Sequence, residues 1–260
     1  MKAKRFLSLY AFLVYAFIYF PLMVVVLFSF NDARRNVVWK GFTLKWYGSL
    51  VANTELISAL WVSLKLGVIS SVLAVLLGTL ASYALVRHPS FRGKRAYQSF
   101  LNIPLMLPEI VLGVGLLSFF VWVNFPLGFW SLVLAHVVFC VPYVMGSVSA
   151  RLSSLTDDSL EDAAMDLGAT ELEAFWKVTL PLAWPAILSG ALLAFTMSFE
   201  DFVTSFFVSG VGNVTLPIKI YSMMKFGITP EVNALSTLLL VLLLTALLAR
   251  HFLSIKEPVS

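Results

Sequence analysis

Residues Leu160 to Pro185 read LEDAAMDLGATELEAFWKVTLPLAWP, the longest polar interruption in a chain that is otherwise mostly apolar. The spacing predicts two short helices with a bend between them. Asp158 or Asp157 can cap the first, and Glu161, three residues after Asp158, completes a capping box. Ala163, Ala164 and Leu167 form a small apolar stripe, and Gly168 ends the turn because a left-handed residue is least strained as glycine. Thr170 and Glu173 open the second helix with another capping box; Leu172, Phe175, Trp176 and Val178 follow before Pro181. A helix pair this apolar on one face needs a surface to lie on. Lipid headgroups are one such surface. The charge argues against them: only Arg151 and Lys177 are basic, against Asp157, Asp158, Glu161, Asp162, Asp166, Glu171 and Glu173. An acidic helix suits an anionic leaflet poorly, so a protein partner fits better.

The rest of the chain sets the class. Of 260 residues, 60% are hydrophobic and 12% charged, which excludes a soluble globular domain and defines an all-α integral membrane protein. The basic residues cluster at the ends of apolar runs, as membrane topology requires, so the net charge of +4 does not imply a nucleic-acid partner. The single Cys140 lies in an apolar run and can form no intrachain disulfide. Lys2, Lys4 and Arg5 before an apolar run mimic a signal peptide, but the run is too long and lacks a small-residue cleavage site. It reads as an uncleaved first span.

Requiring roughly 20 apolar residues per crossing predicts six spans, near Ser8–Phe30, Leu56–Val86, Ser99–Val123, Phe129–Ala150, Leu182–Val208 and Val232–Leu253. The whole of 1–260 reads as a single transmembrane domain, with a polar loop at 151–181. Eleven basic residues fall on the side of the termini and six on the other, so both termini are expected in the cytoplasm, and the acidic loop with them. On the far side, Trp39 to Tyr47 reads as an aromatic-belt segment or as part of a platform for an external protein. Thr215 to Tyr221 reads as a short helix stopped by Gly227, and Thr229-Pro230 as the cap of the sixth span.

Neither a phosphate-binding glycine loop nor metal-ligand spacing occurs, and His88, His136 and His251 are far apart. An enzyme acting alone is therefore not expected; no catalytic, metal or cofactor residue is assigned, and energy must come from a partner. Lys65, Glu109, Glu200 and Asp201 fall inside spans, where a charge costs roughly 2.5–3.5 kcal/mol at the bilayer centre on insertion scales. Lys65 lies two turns into the second span, where its stem can reach outward. Glu109 follows Pro104 and Pro108, where the third span should break and expose backbone to protein or water. Glu200 and Asp201 share a polar stripe with Thr196, Ser198, Thr204 and Ser205 on the fifth span, read as one helix. These acids form either an interhelical seam with Lys65 as basic partner or a cation-lined path. Phe195, Phe199 and Phe202, with Trp122 and Trp130, could flank that path, since aromatic faces hold ammonium groups.

Asp162-Ala163-Ala164, three residues, Gly168, nine residues, then Val178-Thr179-Leu180-Pro181 resembles the EAA loop of ABC importer permeases. That pattern is Glu-Ala-Ala, three residues, Gly, nine residues, Ile, one residue, Leu-Pro. Asp162 stands for Glu, with Glu161 beside it, and Val178 for Ile. The resemblance implies a type I importer permease fold in which Glu161, Asp162, Ala163, Ala164, Gly168, Leu180 and Pro181 belong to a coupling helix docked on a cytoplasmic ATPase. Over nearly its whole length the chain is similar to permease subunits of bacterial spermidine/putrescine importers. This implies a second related permease, two ATPase copies that bind ATP, a periplasmic binding protein, a polyamine substrate and the bacterial inner membrane. Importers of another solute, such as ferric ion or thiamine, remain an alternative, as does a cation channel or membrane scaffold without an ATPase.

Overall fold

In a computed structural model of the chain, residues 2–33, 38–87, 91–155, 159–225 and 229–254 are described. They form α1 (Lys2–Phe28), α2 (Lys45–Ala52), α3 (Thr54–Arg87), α4 (Lys94–Met106), α5 (Glu109–Trp122), α6 (Phe129–Ser154), α7 (Ser159–Asp166), α8 (Glu171–Ala174), a π-helical turn (Phe175–Thr179), α9 (Leu180–Glu200), α10 (Val203–Val208), α11 (Leu216–Lys225) and α12 (Pro230–Ser254). Among the described residues no strand forms beyond an isolated bridge of Asn31 with Phe42. Among the described residues, four stretches are long and apolar enough to cross a membrane: Phe6–Phe28, Thr54–Arg87, Phe129–Ser154 and Glu171–Glu200. α4 and α5 together meet the same test as a pair bent by 112°. The sixth expected span corresponds to α12, in which Pro230–Thr245 is a shorter apolar helix. Gly227, expected to stop α11, lies outside the described residues, as do Asp157 and Asp158.

The chain divides into two compact units, Met1–Ser58 with Lys219–Ser260, and Ala59–Ile218. In the first, Asn31 is fully enclosed: its side-chain amide donates to the Val38 carbonyl (2.8 Å) and accepts from Lys40 N–H (2.8 Å). Trp46 Nε1 donates to the Asn31 carbonyl at 2.7 Å, and Ser29 and Tyr47 hydroxyls meet at 2.8 Å. The aromatic linker is thus tied down by its own hydrogen bonds. Lys219 pairs with Glu55, and Asn53 donates to Glu231 at 3.1 Å.

The second unit is built around α6. Two-thirds (67%) of the apolar window of α6 is buried, and Leu132, Val133, Cys140, Val144 and Val148 are its innermost side chains. Small residues let its neighbours approach closely. A Cβ on Gly78 of α3 would lie 2.8 Å from Val144 Cβ, and one on Gly190 of α9 3.2 Å from Val144 Cα. Serine hydroxyls add interhelical bonds, buried Ser82 to the Met145 carbonyl (3.0 Å) and half-buried Ser147 to that of Ala186 (2.9 Å). In an apolar medium such donors have few alternatives, which is why they recur at helix contacts.

Candidate functional site

Two spans in this unit are interrupted. Between α4 and α5, Leu107 is extended (φ −82°, ψ 139°) because Pro108 disfavours helical geometry in the residue before it. Pro108 then leads into α5, and Glu109 occupies its first turn. The second interruption corrects the sequence reading of one continuous helix through Glu200 and Thr204. α9 stops at Glu200, Asp201 is extended (φ −62°, ψ 121°), and α10 restarts at Val203. Asp201 supports the restart: its carboxylate accepts from Thr204 N–H (3.2 Å) and Ser205 N–H (2.7 Å).

Both breaks open on one cavity of about 320 Å³, lined by Glu109, Glu200, Asp201 and Phe202 and, from α6, by Phe139 and Tyr143. Glu109 and Glu200 are exposed and, among the described residues, make no ion pair. Glu109 sits favourably at a helix N-terminus; Glu200 ends α9, where an acid opposes the helix dipole at a cost of about 0.3–1 kcal/mol. Glu200 is therefore not there for the helix. Phe195 and Phe199 stack on each other, centroids 5.8 Å apart, and are not among the lining residues. Trp122 and Trp130 are exposed and do not line the cavity either. Lys65 is exposed, and among the described residues no ion pair joins it to Glu109, Glu200 or Asp201.

The basic group beside Asp201 is instead His136, fully enclosed, with Nε2 3.5 Å from Asp201 Oδ2. His136 Nδ1 lies 2.7 Å from Ser198 Oγ and Nε2 3.1 Å from Ser205 Oγ. A lone histidine in an apolar run gives no spacing signal. His136, Phe139 and Tyr143 do, however, recur at helical spacing on one face of α6, which marks that face as unusual. Among the described residues no group of three or more His, Cys, Asp or Glu could hold a metal.

At the other end of the unit, α7 closes as expected. Gly168 has φ +93°, with Gly168 N–H on the Met165 carbonyl (2.9 Å) and Ala169 N–H on that of Ala164 (3.0 Å), a Schellman closure. Thr170 and Glu173 form the reciprocal capping box of α8. Pro181 does not end the second helix, which runs through the π-helical turn into α9. Glu161 points inward, to Thr179 Oγ1 and to Arg87 Nε at 3.2 Å. Asp162, Ala163, Leu167 and Gly168 are exposed, as are Leu172, Trp176 and Pro181, whereas Ala164 and Leu180 are half-buried.

Long apolar helices with largely exposed faces, two helix breaks facing an acid-lined cavity, and an acidic helical loop with exposed apolar residues define a membrane-embedded transport subunit. Residues 74–254 match the binding-protein-dependent transport system inner membrane components, and the chain belongs to that family. It is 45% identical over 248 residues to the spermidine/putrescine transport system permease protein PotC of Haemophilus influenzae, covering 95% of this chain and 96% of that one. It is 43% identical to PotC of Escherichia coli K12 (93% and 90% covered) and 42% identical to the putrescine transport system permease protein PotI of the same strain (87% and 82%). Among solved structures it resembles a bacterial ABC transporter involved in the import of the acidic polysaccharide alginate (TM-score 0.71, 14% identity, 99% of both chains). An amino acid ABC transporter with histidines matches at TM-score 0.59 and 21% identity, over 81% of this chain and 98% of that one. These two likenesses concern the fold alone.

Proposed function

We propose that this chain is a membrane-spanning permease subunit of an ATP-driven polyamine uptake system, and that Glu109, Glu200 and Asp201 guide the cationic substrate. The observation that carries the reading is the convergence of three acids from two broken spans on one cavity. A polyamine entering it must replace water around several ammonium groups. A carboxylate about 4 Å away returns roughly 4 kcal/mol at an effective dielectric of 20. Phe139, Tyr143 and Phe202 offer aromatic faces beside the acids. The names of the PotC and PotI relatives point to the same substrate class.

In this reading the loop 151–181 docks on a cytoplasmic ATPase, which binds the ATP, and both termini are cytoplasmic. Its exposed Leu167 (90%) and Leu172 (67%) give a protein partner apolar contact that the acidic surround denies to headgroups. A second homologous permease, two ATPase copies and a periplasmic binding protein complete the assembly in the bacterial inner membrane. Uptake of labelled putrescine and spermidine in a deletion strain carrying this chain tests the substrate, and co-purification with an ATP-binding subunit in detergent tests the partner. Uptake of neither polyamine would leave the class standing and overturn the substrate.

A further inference from the structure

We propose that His136 is a positioning residue for Asp201, stapling the broken fifth span across its interruption so that the Asp201 carboxylate stays on the cavity. The proposal rests on the substrate-path reading above. Its geometry is specific. The two ring nitrogens of one enclosed imidazole engage Ser198, three residues before Asp201 on α9, and Ser205, four residues after it on α10. A single ring thus touches both sides of the break, from a third helix packed against each.

The chemistry fits a staple. Asp201 has no regular helical hydrogen bonding to hold its backbone, and its two backbone N–H contacts both come from α10. Nothing in that pair fixes α10 relative to α9. His136 supplies the tie and also stands 3.5 Å from Asp201 Oδ2. A lone pair on Nε2 would face that carboxylate, so the proton belongs on Nε2, shared between Ser205 Oγ and the Asp201 side, and Nδ1 accepts from the Ser198 hydroxyl. In this arrangement each polar atom of the enclosed ring has a partner, which an apolar surround demands. A ring that only filled space would need neither serine.

The test uses the assembled transporter with its ATPase and binding protein, and reads polyamine uptake as KM and maximal rate beside the amount of assembled complex. His136→Leu keeps volume and removes both hydrogen bonds; His136→Gln restores one donor and one acceptor. Leucine is expected to raise KM about tenfold, the equivalent of one misplaced charge contact, and glutamine to recover most of that loss. In an Asp201→Asn background His136→Leu should add little, because coupled residues are non-additive. Wild-type KM in an assembled His136→Leu transporter overturns the proposal, as does full additivity with Asp201→Asn. Should the leucine variant fail to assemble, Ser198→Ala and Ser205→Ala each cut one end of the staple, and wild-type KM in both overturns it equally. Asp201→Asn separates the two levels: normal uptake there and in Glu109→Gln and Glu200→Gln refutes the path, whereas reduced uptake in Asp201→Asn with a silent His136→Leu refutes only the staple.

Discussion

Arg87 Nε lies 3.2 Å from Glu161 Oε1, and the two side chains are only 10% and 12% exposed. The pair fastens the end of α3 to α7, and Glu161 also accepts from Thr179 Oγ1. Removing one partner of such a buried pair costs about 3 kcal/mol. Arg87→Met and Glu161→Gln should each lower the midpoint of thermal unfolding of the detergent-purified subunit. The double replacement Arg87→Met/Glu161→Gln should lose less than the sum. Strict additivity would show that the two side chains act separately.

Gly168 adopts φ +93°, and a Cβ added there would meet no atom within 4 Å. Substitution therefore costs backbone strain of about 1–2 kcal/mol and little packing, while placing bulk on the exposed loop. Gly168→Val should leave the subunit inserted and weaken substrate-stimulated ATP hydrolysis in the complex; Gly168→Ala should do so less. Normal stimulation in the valine complex would argue against docking through this turn.

Glu109 and Glu200 carry no ion pair among the described residues, whereas Asp201 also supports α10. Glu109→Gln and Glu200→Gln should keep full assembly and lower uptake several-fold, by the roughly 1–2 kcal/mol expected of one solvated charge contact. Asp201→Asn should lower uptake and assembly together, since it weakens both the cap and the contact with His136. Parallel uptake and membrane-fraction blots decide this, and full uptake in all three variants would refute the path.

A reporter active only outside the cytoplasm should work when fused after Lys45 or Lys219 and fail after Arg92 or Leu172, given the bias of basic residues. Activity after Leu172 would put the acidic loop on the outer side and remove the argument for an ATPase partner.

Much of this was legible in the residues. Pro108 announces the first break because proline constrains the residue before it, whereas Pro104 is accommodated inside α4; Gly168 and Thr170 mark the loop turn through backbone rules alone. The second break was hidden. Ser198-Phe199-Glu200-Asp201-Phe202 contains neither proline nor glycine, and a helix there is interrupted by tertiary partners. His136 was hidden for the same reason, since its serines lie 62 and 69 positions away. Lys65 reads as the natural counter-charge because it is a lysine within a span, yet it is exposed and His136 stands beside Asp201 instead. Composition identifies which charges are costly; only packing says which of them meet.

The π-helical turn at Phe175–Thr179 joins α8 to α9 without a loop, so loop helix and span form one rod. A π turn takes up one more residue than an α-helical turn. Every position after it is offset by one residue, about 100° of azimuth, from where an unbroken α-helix would place it. The turn thus acts as a phase shifter. It lets Trp176 stand on the outer surface while Ala183, Ile187 and Gly190 all face inward. A torque applied at the acidic loop would pass along that rod as rotation, and forcing 175–179 into regular α-helical hydrogen bonding with no residue removed would turn the whole inner face of α9 out of mesh with α6.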